Sequence, residues 1–237
     1  MTKKINSKLL NIIKYYSLIN YNLVYDNRSI NRYKNNGSAL NINKTRALDN
    51  LKTEIKNIKN CDLKKNAKNI VFSDGNPSSK IMIIGEGPGA NEDDEGIPFV
   101  GRAGQLLDKM LASINLDRKN IYITNVVNFR PPENRKPTET EINRYLPYLI
   151  KHVEIIKPKI LILLGSTALN TVIGDEEVIS KARGKWVLQK IGSCTVSIIT
   201  SFHPAFLIRQ QEQKKMAWID LKMIRKKIRD LKIKIEK

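Results

Sequence analysis

From residue 80 onward, short apolar runs alternate with segments of helical periodicity, and this alternation restricts the fold more than any other feature. Four runs predict buried strands, at residues 80–85, 120–127, 159–165 and 195–201. The remaining segments predict helices, at residues 101–114, 138–156, 166–173 and 214–234. Strands alternating with helices favour a parallel sheet that is covered on both faces. The prediction is an α/β fold whose ligand site lies at the carboxyl ends of the strands.

The N-terminal quarter of the chain lacks this alternation and predicts a separate region. Residues 1–25 carry one helical pattern, residues 26–44 are polar and predict a linker, and residues 45–60 have apolar residues at helical spacing. The predicted organisation is a helical and linker extension over residues 1–60, followed by one domain over residues 61–237.

The charge of the chain favours a polyanionic partner. Its 237 residues carry a formal net charge of +19, which indicates nucleic acid. The alternative is that the many Lys, Asn and Ile residues result from drift in amino-acid composition at solvent-exposed positions. No run approaches the ~20 apolar residues of a membrane span, and the N-terminus lacks a signal-peptide pattern. Two distant cysteines do not indicate a disulfide framework. We therefore expect a cytoplasmic monomer with no membrane contact.

The loop after the first predicted strand combines glycines, carboxylates and an aromatic residue. It reads Gly85-Glu86-Gly87-Pro88-Gly89, then Glu92-Asp93 and Pro98-Phe99-Val100-Gly101. A dinucleotide fingerprint would need a helix to begin within this loop. The proline and the acidic run 92–95 argue against that, since the next helix is predicted to begin only near residue 101 and acidic residues repel a pyrophosphate. A plain glycine turn with a solvated acidic loop stays open as an alternative.

The loop after the second strand offers an amide and several cations. Asn125 ends the strand, and its side chain carries a donor beside an acceptor, the pattern that matches the N3–H and O4 edge of uracil. Its alternative role is a strand-end capping amide. Arg130, Arg135 and Lys136 follow in a proline-rich loop and could contact phosphates.

The loop after the fourth strand holds one of only two histidines in the chain. His203 lies at the predicted functional edge, where an imidazole can donate to an oxygen that gains negative charge. His152 lies within a predicted helix and is interpreted as structural. After His203, Leu207, Ile208 and Arg209 are either core residues or a wedge that enters a base stack.

Together these loops resemble the uracil-DNA glycosylase superfamily, specifically its family-4 type. The resemblance covers residues 61–220 and also includes Arg183-Gly184 and Phe202-His203-Pro204-Ala205. It implies a three-layer α/β/α sandwich around a four-stranded parallel sheet. Related sequences are also labelled as phage-type DNA polymerase domains, but no motif here is typical of a polymerase active site.

The resemblance also implies an activity, the hydrolytic excision of flipped uracil from DNA. Phe99 would stack on the base, Asn125 would read its N3/O4 edge, and His203 would donate to O2 of the departing anion. Backbone at Gly87 would line the pocket, and Glu86, Glu92 or Asp93 would hold the attacking water. Arg130, Arg135 and Arg209 would grip the DNA, with Leu207 and Ile208 as the wedge. Two alternatives stay open: a glycosylase for other deaminated bases, and a nucleic-acid-binding homologue without catalysis.

One family feature is missing from the sequence. The family-4 type usually holds a 4Fe–4S cluster through four cysteines, which correspond here to Ile58, Cys61, Phe129 and Tyr145. Only Cys61 can supply a thiolate, and such a cluster needs four ligands. We therefore predict no metal and no cofactor, with side-chain packing in place of the cluster.

Overall fold

The computed structural model describes residues 36–174 and 178–235. The helical pattern predicted within residues 1–25 lies outside the described residues. The helices are α1 (Asn36–Lys56), α2 (Asp62–Asn66), α3 (Ala90–Glu95), α4 (Arg102–Ala112), α5 (Glu139–Ile156), α6 (Ser166–Val172), α7 (Ile179–Ala182), α8 (Pro204–Arg209) and α9 (Lys214–Asp230). The strands are β1 (Asp74–Gly75), β2 (Ile81–Gly85), β3 (Tyr122–Asn125), β4 (Ile160–Leu164), β5 (Trp186–Ile191) and β6 (Cys194–Ser201).

The sheet is larger than predicted and mixed rather than parallel. Its order is β1-β3-β2-β4-β6-β5. The four predicted strands form its parallel centre, and the antiparallel strands β1 and β5 pair at the two edges. Both edge strands were missed because neither reads as a buried run. β1 has two residues, and β5 is largely exposed.

Apolar side chains of the central strands alternate between two hydrophobic cores. Ile81 and Ile83 of β2 pack with residues of α4 and α9, whereas Met82 and Ile84 pack with residues of α1 and α5. Side chains of a strand alternate between the two faces of its sheet, so each face needs its own cover. The three-layer arrangement of helices, sheet and helices follows from this pattern.

Helix α1 belongs to the packed domain. Leu48, Leu51 and Ile55 are buried in the same core as Cys61. By its contacts the chain divides into the units Met1–Ala39 and Leu40–Lys237. The predicted helix over residues 45–60 therefore shares a core with residues of the 61–237 region, and residues 36–44 are helical where a linker was predicted.

Helix α5 begins where its sequence predicts. Thr138 accepts a hydrogen bond from the Glu141 backbone N–H, and the Glu141 carboxylate accepts one from the Thr138 N–H at 2.7 Å. This reciprocal capping box satisfies two donors that a helix otherwise leaves unpaired.

Among the described residues, no helix combines the length and the apolarity needed to cross a bilayer.

His152 of α5 is a core residue, as its position in the helix predicts. Its ring lies 4.6 Å from that of Phe72 and 5.9 Å from that of Tyr122, measured between centroids. Burial lowers the pKa of His152 from 6.5 to about 3. The imidazole therefore stays neutral in the folded protein at neutral and mildly acidic pH.

This burial predicts a loss of stability on acidification. The unfolded chain binds a proton at this histidine below pH ~6.5, but the folded chain does not, so the free energy of unfolding falls as the pH drops. Between pH 7 and pH 5, the free energy of unfolding of the wild type, measured with urea, should fall by about 2 kcal/mol more than that of a His152→Phe variant. Equal losses in the two proteins would contradict a neutral buried His152.

Candidate active site at the carboxyl edge of the sheet

A cavity lies at the carboxyl ends of the parallel strands. It has a volume of about 180 Å³ and is partly open to solvent. This is room for one small planar ligand. The predicted site residues that line it come from three separate loops: Glu86, Gly87, Glu92, Phe99, Asn125, Arg135 and His203.

Gly85, the last residue of β2, lies against two residues that line the cavity. A Cβ atom at Gly85 would lie 2.5 Å from Asn125 Oδ1 and 2.5 Å from Cζ of Phe99. Gly85 also pairs with Asn125 in the register of β2 and β3. The glycine thus lets an amide and an aromatic ring approach the same backbone position.

The Asn125 side chain carries an unsatisfied acceptor. The residue is 2% exposed, and its Oδ1 has no hydrogen-bond partner among the described residues. A buried carbonyl oxygen without a partner costs free energy. Such an atom suits a ligand that donates a hydrogen bond.

Phe99 and His203 lie next to each other in the lining of the cavity. Their ring centroids are 5.7 Å apart with an interplanar angle of 30°. Phe99 is buried and has a φ of +56°, which is uncommon for any residue other than glycine. The ring is thus held in place by a backbone conformation that its surroundings must enforce.

The structure assigns the tautomer of His203. Its Nδ1 accepts a hydrogen bond from the Ala205 backbone N–H at 3.2 Å, as the N-cap of α8. Burial, with a smaller contribution from Arg209, lowers the pKa of His203 from 6.5 to about 4. At neutral pH the ring is therefore uncharged and carries its proton on Nε2, so Nε2 is a donor.

The acidic part of the first loop is helical, contrary to the prediction that helix begins only near residue 101. Gly89 caps α3, and the Glu92 carboxylate accepts from the Gly89 N–H at 3.2 Å and the Gly101 N–H at 2.8 Å. The N-terminus of α3 thus already has an internal carboxylate. Because this carboxylate occupies the positive end of the helix dipole and would repel a second anion, the loop is a poor pyrophosphate site.

Asp93 does not face the cavity. It is 2% exposed, and its carboxylate accepts hydrogen bonds from the backbone N–H groups of Lys68 and Asn69. Its role is to fix the segment before β1 against α3. Of the three predicted water-holding carboxylates, Asp93 is therefore the one that the structure removes from the site.

Glu86 lies in the cavity beside a residue that the sequence analysis missed. Oε2 of Glu86 accepts a short hydrogen bond from Thr167 Oγ1. Thr167 follows β4, so it reaches the same edge of the sheet as the other loops. Its position directly after a predicted strand was the signal that could have identified it.

The predicted DNA-contacting residues lie in different environments. Arg135 lines the cavity but pairs with Glu141 at 2.7 Å, and Arg130 donates to Asn134. Arg209 is exposed and Ile208 is half-buried.

Leu207 does not fit the predicted wedge. It is 1% exposed and lies in a hydrophobic core, so it cannot enter a base stack without leaving that core.

A buried ion pair supports the strand that leads to His203. The carboxylate of Asp220, on α9, is fully buried and accepts from Arg183 and, at 2.7 Å, from Ser201 Oγ. Burial raises the pKa of Asp220. This network fixes the end of β6 two residues before His203.

The four positions that correspond to the cluster cysteines all lie in or against one hydrophobic core. Cys61, Phe129 and Tyr145 are buried in one core, with Ile58 packed against it. The Cys61 Sγ and Tyr145 Oη atoms are 3.2 Å apart, and burial raises the pKa of the Tyr145 phenol, which disfavours a phenolate ligand. One thiol and a neutral phenol do not fit a 4Fe–4S cluster.

Comparison with known proteins shows the family to which the chain is similar. The family model of the uracil DNA glycosylase superfamily matches residues 72–222. The type-4 uracil-DNA glycosylase of Sulfurisphaera tokodaii is 39% identical over 184 residues, which cover 76% of this chain and 84% of that protein. The type-4 enzyme of Archaeoglobus fulgidus is 38% identical, covering 75% of this chain and 92% of its own length.

A shorter match links the chain to a phage protein. A DNA polymerase of Bacillus phage SP01 is 34% identical over 112 residues, which are 12% of its length. The similarity thus concerns a small part of that polymerase.

Proposed function

Since this chain belongs to the uracil DNA glycosylase superfamily, we propose that it excises uracil from DNA and leaves an abasic site. It is a hydrolase of N-glycosidic bonds. One observation carries the proposal: a single cavity brings together the ring of Phe99, the unpaired Oδ1 of Asn125 and the Nε2 donor of His203. Each of the three matches a different part of a flipped uracil.

Base recognition is proposed to depend on Asn125. Its Oδ1 would accept from N3–H of uracil, and its amide NH2 would donate to O4. Cytosine offers the opposite order of donor and acceptor, so it would leave both groups of Asn125 unsatisfied. A site that hydrogen-bonds its substrate rejects analogues lacking the matching groups strongly, because its own polar atoms then stay unpaired. The buried, partnerless Oδ1 supports this assignment.

Base stacking is proposed to use Phe99. Stacking on an aromatic ring suits any base, so the ring would supply affinity and the amide would supply selectivity. The flipped nucleotide pays a few kcal/mol for leaving its stack, and contact with a buried ring offsets part of this cost.

The leaving group is proposed to be stabilised by His203. As the bond between N1 and C1′ breaks, its electron pair moves onto uracil and charge accumulates at O2. The Nε2–H of the neutral imidazole would donate to O2, and this hydrogen bond strengthens as the charge develops. The Ala205 N–H at Nδ1 keeps the donor proton on the correct nitrogen.

The attacking water is proposed to be held by Glu86. Its hydrogen bond from Thr167 orients the carboxylate at Oε2, and Oε1 would accept from the water and take up its proton as the oxygen bonds to C1′. Glu92 lines the same cavity, but its two oxygens already accept backbone N–H groups. This difference favours Glu86 over Glu92.

DNA binding is proposed to rest on the basic surface. The net charge of +19 suits a phosphate backbone. Arg130 and the exposed Arg209 are the proposed phosphate contacts, and Ile208 replaces Leu207 as the proposed wedge. Arg135 would first have to exchange Glu141 for a phosphate. A monomer in the cytoplasm remains a prediction.

We also propose that catalysis needs no iron–sulfur cluster. The packing of Cys61 against Tyr145 supports side-chain packing in its place. Protein purified anaerobically is expected to contain only substoichiometric iron and acid-labile sulfide, and Cys61→Ser should leave both values unchanged. Stoichiometric iron that disappears in Cys61→Ser would contradict this proposal.

The decisive experiment is a panel of oligonucleotides, each carrying one uracil, hypoxanthine or mismatched thymine, treated with alkali after incubation. Strand cleavage at uracil alone is the expected result. Preferred cleavage at hypoxanthine would indicate a glycosylase for another deaminated base. Binding without cleavage at any site would indicate a non-catalytic homologue.

A further inference from the structure

We propose that Arg118 is a positioning residue for base excision, which acts by holding the backbone of Phe99 in its left-handed conformation. Arg118 precedes β3 and does not line the cavity. The inference rests on the proposed role of Phe99 as the ring that stacks on the flipped base. It assigns the geometry of that ring to a residue outside the cavity.

The contacts of Arg118 account for every donor that an arginine has. Nη2 donates to the Phe99 carbonyl, and Nη1 donates to the Pro98 carbonyl at 3.1 Å. The remaining N–H groups donate to carboxylates: Nε and Nη2 to Asp108 and Nη1 to Asp74. A guanidinium has five N–H donors in a fixed plane, so these hydrogen bonds fix its position completely.

The two carboxylates aim the guanidinium at the Phe99 segment. Asp108 lies on α4 and Asp74 lies on β1, and both pair with Arg118 within 3.0 Å. Arg118 therefore bridges two parts of the scaffold and presents the remaining donors to two consecutive carbonyls. Lysine, with three donors on one atom, cannot reproduce this planar arrangement.

The backbone of Phe99 needs such support. Its φ of +56° lies in the left-handed region, where Cβ crowds neighbouring backbone atoms, which makes the conformation unfavourable unless the surroundings enforce it. The same carbonyl also packs against Gly104 of α4, where an added Cβ would lie 1.7 Å from the Phe99 oxygen. Arg118 and Gly104 thus hold the Phe99 carbonyl from two independent directions.

A double-mutant cycle tests whether Arg118 acts through Phe99. Arg118→Met should lower the single-turnover rate of uracil excision about 10- to 100-fold, since small displacements in a site have effects of this size. In a Phe99→Ala background the same substitution should have little further effect, because the ring it positions is absent. Gly104→Ala should reproduce the loss while leaving the arginine in place.

Arg144 provides a matched control. Its guanidinium also donates to two consecutive backbone carbonyls, those of Lys59 and Asn60, and Asn60 also has a positive φ. This pair lies away from the cavity, so Arg144→Met should leave excision unchanged. Equal rate losses from Arg118→Met with and without the Phe99 ring, or no loss at all, would overturn the inference.

A crystal structure of the Arg118→Met variant tests the inference without relying on activity. Phe99 is expected to leave the left-handed region, and its ring is expected to move out of the cavity. Retention of φ near +56° would overturn the inference, even if uracil is excised. By contrast, a wild-type protein that does not excise uracil would contradict the proposed function and leave the structural result valid.

Discussion

Replacing His203 with alanine is expected to lower the single-turnover rate of uracil excision about 100- to 1,000-fold. The reason is that the Nε2–H bond to O2 strengthens only as charge develops on the departing base, so its loss raises the barrier more than it weakens binding. Rapid-quench kinetics on a uracil oligonucleotide measure the rate, and fluorescence anisotropy measures DNA binding, which should change little.

The pH dependence and the other histidine sharpen this test. Because the pKa of His203 is lowered to about 4, the donor stays neutral between pH 6 and pH 8, and the rate should show no step in this range that depends on His203. The matched variant His152→Phe changes the only other histidine and should excise uracil at the wild-type rate while it remains folded. Unchanged excision in His203→Ala would refute the role of this residue.

Replacing Asn125 with aspartate is expected to abolish the preference for uracil and to lower its excision by at least about 100-fold. A carboxylate cannot donate to O4, and its negative charge would lie beside the carbonyl oxygen that the amide nitrogen is proposed to contact. Sites built around a hydrogen bond to the substrate discriminate by factors of about 10⁴ to 10⁵ against an analogue that cannot form it. The excision rates on matched oligonucleotides that carry uracil or cytosine give the ratio of uracil to cytosine excision directly.

Asn128 supplies the control for this substitution. It is a second buried amide just beyond β3, but its side chain donates to the Val71 and Phe72 carbonyls rather than facing the cavity. Asn128→Asp should lower stability without changing the ratio of uracil to cytosine excision. If Asn125→Asp kept that ratio as well, the base would be read by another group.

The positions of Asn125 and His203 could be predicted because Asn125 ends one buried strand and His203 closely follows another. The carboxyl ends of parallel strands meet at one edge, so residues far apart in the chain converge there without any further information. Thr167 obeys the same rule after β4, and attention to every strand end would have found it.

Neighbouring residues on short helices could not be separated in this way. Glu92 and Asp93 are adjacent on α3, yet one lines the cavity and the other binds the backbone at residues 68 and 69. Leu207 and Ile208 are adjacent on α8, and the first is buried whereas the second is half-buried. A helix turns by about 100° per residue, so the orientation of its packing decides which neighbour faces the ligand.

The sequence by itself determined the four central strands, their shared edge and the residue types at their ends, because local periodicity depends on near neighbours in the chain. Only the tertiary structure decided the edge strands, the orientation of Asp93 away from the cavity and the hydrogen bonds from Arg118 to the Phe99 segment. The hydrogen bonds of Arg118 join groups 10 to 44 residues apart. Such contacts depend on how separate elements pack, and packing leaves no periodic signal in the sequence.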